Sequence, residues 1–347
     1  MTRVAPPSTL VRLWILLLYA LVLSMVAVGG ITRLTGSGLS MVVWQPLIGA
    51  IPPLNEAEWL ATFDAYKQTP QFQQVNHWMA LSDFQRIFLW EYLHRLLGRF
   101  IGLATGIPWL ILVVRGHLRG RWAWLTLGAF VLGGMQGALG WFMVKSGLVD
   151  VPAVSHLRLA AHLTLAFLVG QFLLWIYLDA SSPRSSPPTF SAVSWGALAV
   201  ALGVVVQVIY GAFMAGTRAG YMYATFPDMN GTFVATGATE LAPFWRNLLE
   251  NPAMIHTVHR GLAWLLVIGV GVFAAWALRR PITHRTRVAL WLMLSVAVAQ
   301  LTLGALTVIT HVNLTVAVLH QVTAFLLLSS CVLVVHRSRA PAGTLRG

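Results

Sequence analysis

Eight long apolar runs, at roughly 11–31, 86–114, 122–142, 157–178, 193–215, 252–278, 288–310 and 314–335, constrain this chain more than any other feature. A helix crosses the hydrocarbon of a bilayer with about 20 mainly apolar residues. Of the structures that can span it, only helices and closed barrels satisfy their own main-chain hydrogen bonds. Runs of this length specify an all-α membrane protein of eight transmembrane helices. The composition agrees: 57% of residues are hydrophobic, 10% are charged and the mean hydropathy is +0.73, where soluble domains carry about 25% charged residues. A water-soluble enzyme is excluded. The 15 Trp and 16 Phe suit aromatic belts at the two membrane surfaces. The single cysteine, Cys331, excludes a disulfide framework, a CxxC pair and a thiolate metal cage. The first run begins close to the N-terminus and is long enough to span, so no cleavable signal is expected.

The net charge of +13 is almost all arginine, since the only lysines are Lys67 and Lys145. The arginines stand in short clusters between apolar runs, which is a topological pattern and not a nucleic-acid patch. If the N-terminus is cytoplasmic, the inner segments hold Arg3, Arg12, Arg115, Arg119, Arg121, Arg184, Arg279, Arg280, Arg285, Arg287, Arg337, Arg339 and Arg346, against one acid, Asp179. The positive-inside rule then places both termini in the cytoplasm. Two long segments lie outside. In 32–83, Asn55-Glu-Ala-Glu58 is a helix start with an acid at its third position, followed by Trp59, Leu60, Phe63 and Tyr66 at helical spacing. This predicts an amphipathic helix on the outer surface. Residues 216–251 are rich in Gly and aromatics, the composition of a lid.

The second half echoes the first in order. Val28-Gly-Gly resembles Tyr210-Gly-Ala, Glu91-Tyr-Leu-His-Arg95 resembles His256-Thr-Val-His-Arg260, Gly137-Ala-Leu-Gly140 resembles Gly304-Ala-Leu-Thr307, and His162-Leu-Thr-Leu-Ala-Phe167 resembles His320-Gln-Val-Thr-Ala-Phe325. Each half has four spans, so the two share one orientation and the repeat is parallel. Residues 1–180 are read as the N-terminal four-helix repeat, 181–192 as an inner linker and 193–347 as the C-terminal repeat.

Polar residues inside spans are costly and usually face a site. Counting back about 20 residues from Arg115, Asp179, Arg279 and His336 reaches the neighbourhood of His94, His162, His259 and His320, one on each even-numbered span. A lone intramembrane histidine is as well explained by a structural hydrogen bond. Four at one depth, two per half, instead suit two six-coordinate haems with bis-histidine ligation. Four residues after each stands Gly98, Ala166, Ala263 or Ala324, small enough to let a flat macrocycle approach the helix face. His77, His156, His311, His117, His284 and His336 are read as ordinary interfacial residues. His256 is left open between a supporting partner and a local structural group. Glu91, three residues before His94, could accept a proton or stabilise a developing cation, or simply pair with Arg95. Arg158, four residues before His162, could reach a haem propionate or be interfacial; Arg33, Arg86, Arg95, Arg218 and Arg260 are weaker propionate candidates.

On these residues the chain resembles the haem A synthase family over nearly its whole length, closest to its mitochondrial and alphaproteobacterial branch. The resembling segments are Gly29-Gly-Ile-Thr-Arg-Leu-Thr-Gly-Ser-Gly-Leu-Ser-Met41, Ile51-Pro-Pro-Leu-Asn-Glu56, Glu91-Tyr-Leu-His-Arg95, Gly134-Met-Gln-Gly-Ala-Leu-Gly-Trp141 with Lys145-Ser-Gly147, Arg158-Leu-Ala-Ala-His162 and His256-Thr-Val-His-Arg260. The resemblance implies oxidation of the C8 methyl of haem O to the formyl of haem A by successive hydroxylations, for cytochrome oxidase assembly. It implies Glu91, His94 and His162 in the substrate half, and His259 and His320 as ligands of a resident haem b. It further implies a bacterial inner-membrane location with the haem sites toward the periplasm, haem O synthase as a partner, and an electron-transfer partner it does not identify. Many bacterial members carry a cysteine pair in the first outer loop; this chain has none between 32 and 83. It also departs at Arg218, where the family often has an acid. The competing reading is a bis-histidine di-haem cytochrome b taking electrons from quinol, which would place its haems near opposite faces. A two-repeat transporter would need broken helices with polar residues at mid-membrane.

Overall fold

The computed structural model describes residues 6–42, 51–147, 152–182 and 188–341. Arg3, Arg184 and Arg346, three of the arginines used for topology, lie outside these residues, as do 183–187 of the inner linker. Among the described residues, eight helices are long and apolar enough to cross a membrane: α1 (Thr9–Leu34), α3 (Leu81–Val114), α4 (Arg121–Lys145), α5 (His156–Ser181), α6 (Ala192–Gly216), α8 (Pro252–Leu278), α9 (His284–Ile309) and α10 (Leu314–Arg337). Two shorter helices, α2 (Glu56–Lys67) and α7 (Trp245–Glu250), lie in the long connections. Most of the helices run a few residues beyond the apolar runs. Hydropathy stops at the first polar residue, but a helix continues to its cap. Ser8, Asn251, Thr283 and Asn313 each accept a main-chain N–H at a helix start, and Pro252 occupies the first turn of α8.

α1, α3, α4 and α5 pack in a ring, each against the next and α5 back against α1; α6, α8, α9 and α10 repeat that order. The rings meet where α1 touches α10, α5 touches α6, and α5 touches α10. Val22 of α1, Ile176 of α5, Val204 of α6 and Val334 of α10 are buried along this seam. Gly170 makes room for Phe325, since an added Cβ would lie 2.3 Å from its ring. Leu103, Leu265 and Val272 are exposed, as lipid-facing side chains are. On the face with the short connections, residues 188–189 pair antiparallel with 340–341.

On the opposite face, α2 starts as the spacing predicts: Asn55 accepts the Glu58 N–H at 2.9 Å and Glu58 accepts the Leu54 N–H at 2.7 Å. Its aromatic stripe does not lie open on the surface. Phe63 and Tyr66 stack on Phe84 of α3 at 5.0 and 5.1 Å, because α3 begins well before its apolar run and offers Phe84, Ile87 and Phe88 as cover. Leu60, at the edge of the stripe, is exposed.

Candidate functional site

The ring order puts α3 opposite α5 and α8 opposite α10. Each of these four helices carries one of the expected histidines in the half nearer the long connections: His94 and His162 in the first ring, His259 and His320 in the second, with His94 deeper into its longer helix than the other three. Within each ring the two histidines therefore stand on diagonally opposed helices.

Each ring is backed by a glycine on the adjacent helix. A Cβ added to Gly29 would lie 3.5 Å from His94 Nε2; one at Gly140, Gly211 or Gly304 would lie 3.0, 3.3 or 2.9 Å from Cε1 of His162, His259 or His320. Larger residues at Gly140, Gly211 or Gly304 would push the imidazoles out of place, whereas the contact at Gly29 is ordinary van der Waals distance. This corrects the register of one internal match. Gly304 corresponds to Gly140, which backs a histidine, and not to Gly137, where an added Cβ meets nothing within 4 Å. The match on Gly-Ala-Leu was a three-residue slip along one helix. Gly98, expected to face a macrocycle, lies beside Met25, whose methyl is 3.4 Å from an added Cβ.

Glutamines one turn before three of these glycines reach the same histidines, and the sequence reading gave them no role. Gln136 Nε2 donates to the His162 carbonyl at 2.9 Å and lies 3.1 and 3.3 Å from its ring nitrogens. Gln207 Nε2 donates to the His259 carbonyl at 2.9 Å. Gln300 Nε2 lies 3.4 Å from His320 Nε2, and His320 Nδ1–H donates to the Gln300 main-chain carbonyl at 3.2 Å. The available signal was Gln-x-x-x-Gly, present in three spans and hidden among apolar residues.

The residues beside the histidines hold down the loops. Glu91 is buried; Oε2 accepts from Ser40 Oγ at 2.7 Å and from the Met41 N–H at 2.8 Å, and Oε1 accepts from Arg95 at 2.5 Å. Arg95 also donates to the Met41 carbonyl. In the second ring Arg260 donates to His256 Nε2 at 2.9 Å and to the carbonyls of Tyr223, Thr225 and Asp228. His256 thus accepts from Arg260 and packs edge-on against Tyr223. Arg158 lies over the Phe142 ring and donates to the Phe142 carbonyl at 2.8 Å. Arg33 donates to the carbonyls of Ala215 and Gly216, tying α1 to the end of α6. At the other face His336 is not an ordinary interfacial residue: it is buried and sits 3.0 Å from Asp179, which also takes Arg339 and Arg121.

Among the described residues, no three His, Cys, Asp or Glu side chains cluster as a metal cage. A haem iron needs only two ligands from the protein, and each diagonal pair offers two imidazoles backed by glycine. The amide oxygens of Gln136, Gln207 and Gln300 and the Nδ1 atom of His259 are buried without partners, polar groups that bound histidines would engage.

The fold is that of a multi-pass membrane protein whose two helix rings each carry a diagonal pair of histidines. The chain belongs to the COX15-CtaA family of cytochrome oxidase assembly proteins, whose family profile matches residues 12–332. It is 42% identical to the haem A synthase of Nitrosospira multiformis over 333 residues, covering 95% of this chain and 93% of that one. It is also 42% identical to that of Parvibaculum lavamentivorans, covering 93% of each. To that of Rhodospirillum centenum it is 40% identical, over 98% of this chain and 91% of the relative.

Proposed function

We propose that this chain is a haem A synthase, an oxidoreductase that converts the C8 methyl of haem O to the formyl of haem A. Two hydroxylations of the methyl give the hydrated aldehyde, and loss of water leaves the formyl. The observation that carries the reading is the pair of diagonal histidine couples, each imidazole backed by a glycine on the neighbouring helix. We assign His94 and His162 to the substrate haem O, and His259 and His320 to a resident haem b, which supplies one-electron chemistry when bound. The two rings are taken as parallel repeats, with both termini cytoplasmic and the histidines toward the periplasm of a bacterial inner membrane. The repeated ring order and the arginine clusters at the short-connection face support this. On that face His336 and Asp179 lock α5 to α10.

Among the described residues, Glu91 is the one carboxylate a turn from a histidine of either pair. Both its oxygens already accept hydrogen bonds, which favours a fixed charge over a proton acceptor. It stabilises positive charge developing at the substrate and holds the 38–41 segment over the ring. Arg95, Arg260 and His256 hold the two long connections in place, and Arg158 stays at the rim. Haem O synthase supplies the substrate, and a separate electron-transfer partner completes the redox cycle. The test is production of the chain in cells that make haem O but lack haem A synthesis. Extracted haems should then contain haem A; haem O alone, with normal protein levels, would contradict the reading.

A further inference from the structure

We propose that Gln136, Gln207 and Gln300 are positioning residues that clamp three of the four histidines, and that Met25 at the fourth position leaves His94 as the exchangeable ligand of the substrate pair. The inference rests on the assignment of these histidines as haem ligands.

The four backing glycines are preceded, four residues earlier, by Gln136, Gln207, Gln300 and Met25. Positions i and i+4 lie on one helix face, so each of these residues stands one turn from the glycine behind its imidazole. Gln136 and Gln207 each tie down the main-chain carbonyl of their histidine at 2.9 Å. That uses one N–H of the amide and leaves its oxygen, which is buried and unpartnered in both. His259 Nδ1 is likewise buried and unpartnered. A histidine that binds metal through Nε2 donates its Nδ1–H to an acceptor, which fixes the ring orientation and raises ligand basicity. At His259 the free Gln207 amide oxygen would be that acceptor once the ring carries a metal; at His162 the Gln136 amide nitrogen is the group beside Nδ1, at 3.1 Å, so there the glutamine holds the main-chain carbonyl and the ring edge. His320 meets the same requirement another way, its Nδ1–H donating to the Gln300 main-chain carbonyl at 3.2 Å.

His94 differs. Met25 has no N–H to give and only a weak thioether acceptor, and its methyl rests beside Gly98. Among the described residues, no side chain donates to the His94 carbonyl or bonds its ring. The backing glycine also meets His94 at Nε2, where the other three meet Cε1. One ring thus holds a clamped and an unclamped ligand, while the other holds two clamped ones. This is what the two tasks require: a resident cofactor stays, whereas a substrate haem must enter and leave as product. His162 anchors it and His94 lets go.

The experiment uses purified full-length protein and two readouts, the low-spin electron paramagnetic resonance spectrum and the rate of haem transfer to excess apomyoglobin. In the wild type the substrate-side haem should transfer first. Met25→Gln, which supplies the missing clamp, should slow that transfer and shift the substrate-side g values, leaving the haem b signal unchanged. Gln136→Met should speed transfer by about 10- to 100-fold, the usual effect of losing such a partner. Gln207→Met should do the same for haem b alone. Unchanged g values and rates in Met25→Gln and Gln207→Met, with both haems bound, would overturn the clamp while leaving the ligand assignment intact. A wild-type protein without bis-histidine signals would overturn the ligand assignment and the clamp with it.

Discussion

Phe167 and Phe325 meet edge to face at 5.2 Å on the seam between the two rings, both fully buried. They stand five residues after His162 and His320 on α5 and α10. The contact joins the two histidine-bearing helices that touch each other, and fixes their spacing through rigid side chains. Phe325→Ala would leave a large cavity there, at a cost of about 3–5 kcal/mol. Thermal denaturation should show that loss, with both haem signals weakened together; loss of one alone would mean the rings are held independently.

The backing glycines make a sharper prediction. Gly304→Val should eject haem b, because the new side chain would occupy the place of the His320 ring. Gly137→Val, at an open position three residues from Gly140, should leave both haems bound. Haem content per protein checks both. Equal behaviour of the two variants would remove the glycines from the account.

Glu91 and Ser40 separate charge from anchoring. Glu91→Gln removes one partner of a buried ion pair with Arg95, a change that costs about 3–5 kcal/mol, and should lower the ratio of haem A to haem O strongly while haem stays bound. Ser40→Ala removes one hydrogen bond to the carboxylate, worth about 1.5–3 kcal/mol, and leaves the charge. It should lower the ratio only slightly. An equal loss in both would make Glu91 a loop anchor and nothing more. His256→Gln should have a milder effect on the ratio than Glu91→Gln.

Arg260 gathers three carbonyls of the second long connection. Lysine keeps the charge but not the fork of donors. Arg260→Lys should therefore expose residues 222–236 to limited proteolysis. Wild-type resistance would show that the connection is held elsewhere.

Burial pushes the Tyr66 phenol above its ordinary value, although a hydrogen bond from Asn76 works against the shift. The un-ionised form is thus favoured in the folded state. The stability this contributes is complete below about pH 10 and is lost as pH rises through the higher folded value. The difference in tyrosinate absorbance between wild type and Tyr66→Phe should show delayed ionisation. A transition at the ordinary tyrosine value would place Tyr66 in water.

The spans were legible because hydrocarbon thickness sets one length for every membrane helix. The histidines were legible because a polar side chain stands out in an apolar run. The cap at Asn55 was legible from local chemistry alone. The glycines behind the imidazoles were not, because their meaning depends on which neighbouring helix faces them, and the Gly-Ala-Leu similarity pointed three residues away. The glutamines were passed over for the same reason. Arg95 and Arg260, considered for propionates, hold main-chain carbonyls of loops that carry no periodic signal. His336 looked superficial because its position in the sequence does not show that α5 brings Asp179 beside it.

The central claim is that the two histidine pairs hold different haems. Haems extracted from purified wild type, His162→Ala and His320→Ala, separated by chromatography and quantified as pyridine haemochromes, test it most directly. The account predicts haem b together with haem O or haem A in the wild type, loss of haem b alone in His320→Ala, and loss of haem O and haem A alone in His162→Ala. Haem b as the only pigment in the wild type, or the same haem lost from both variants, would contradict it.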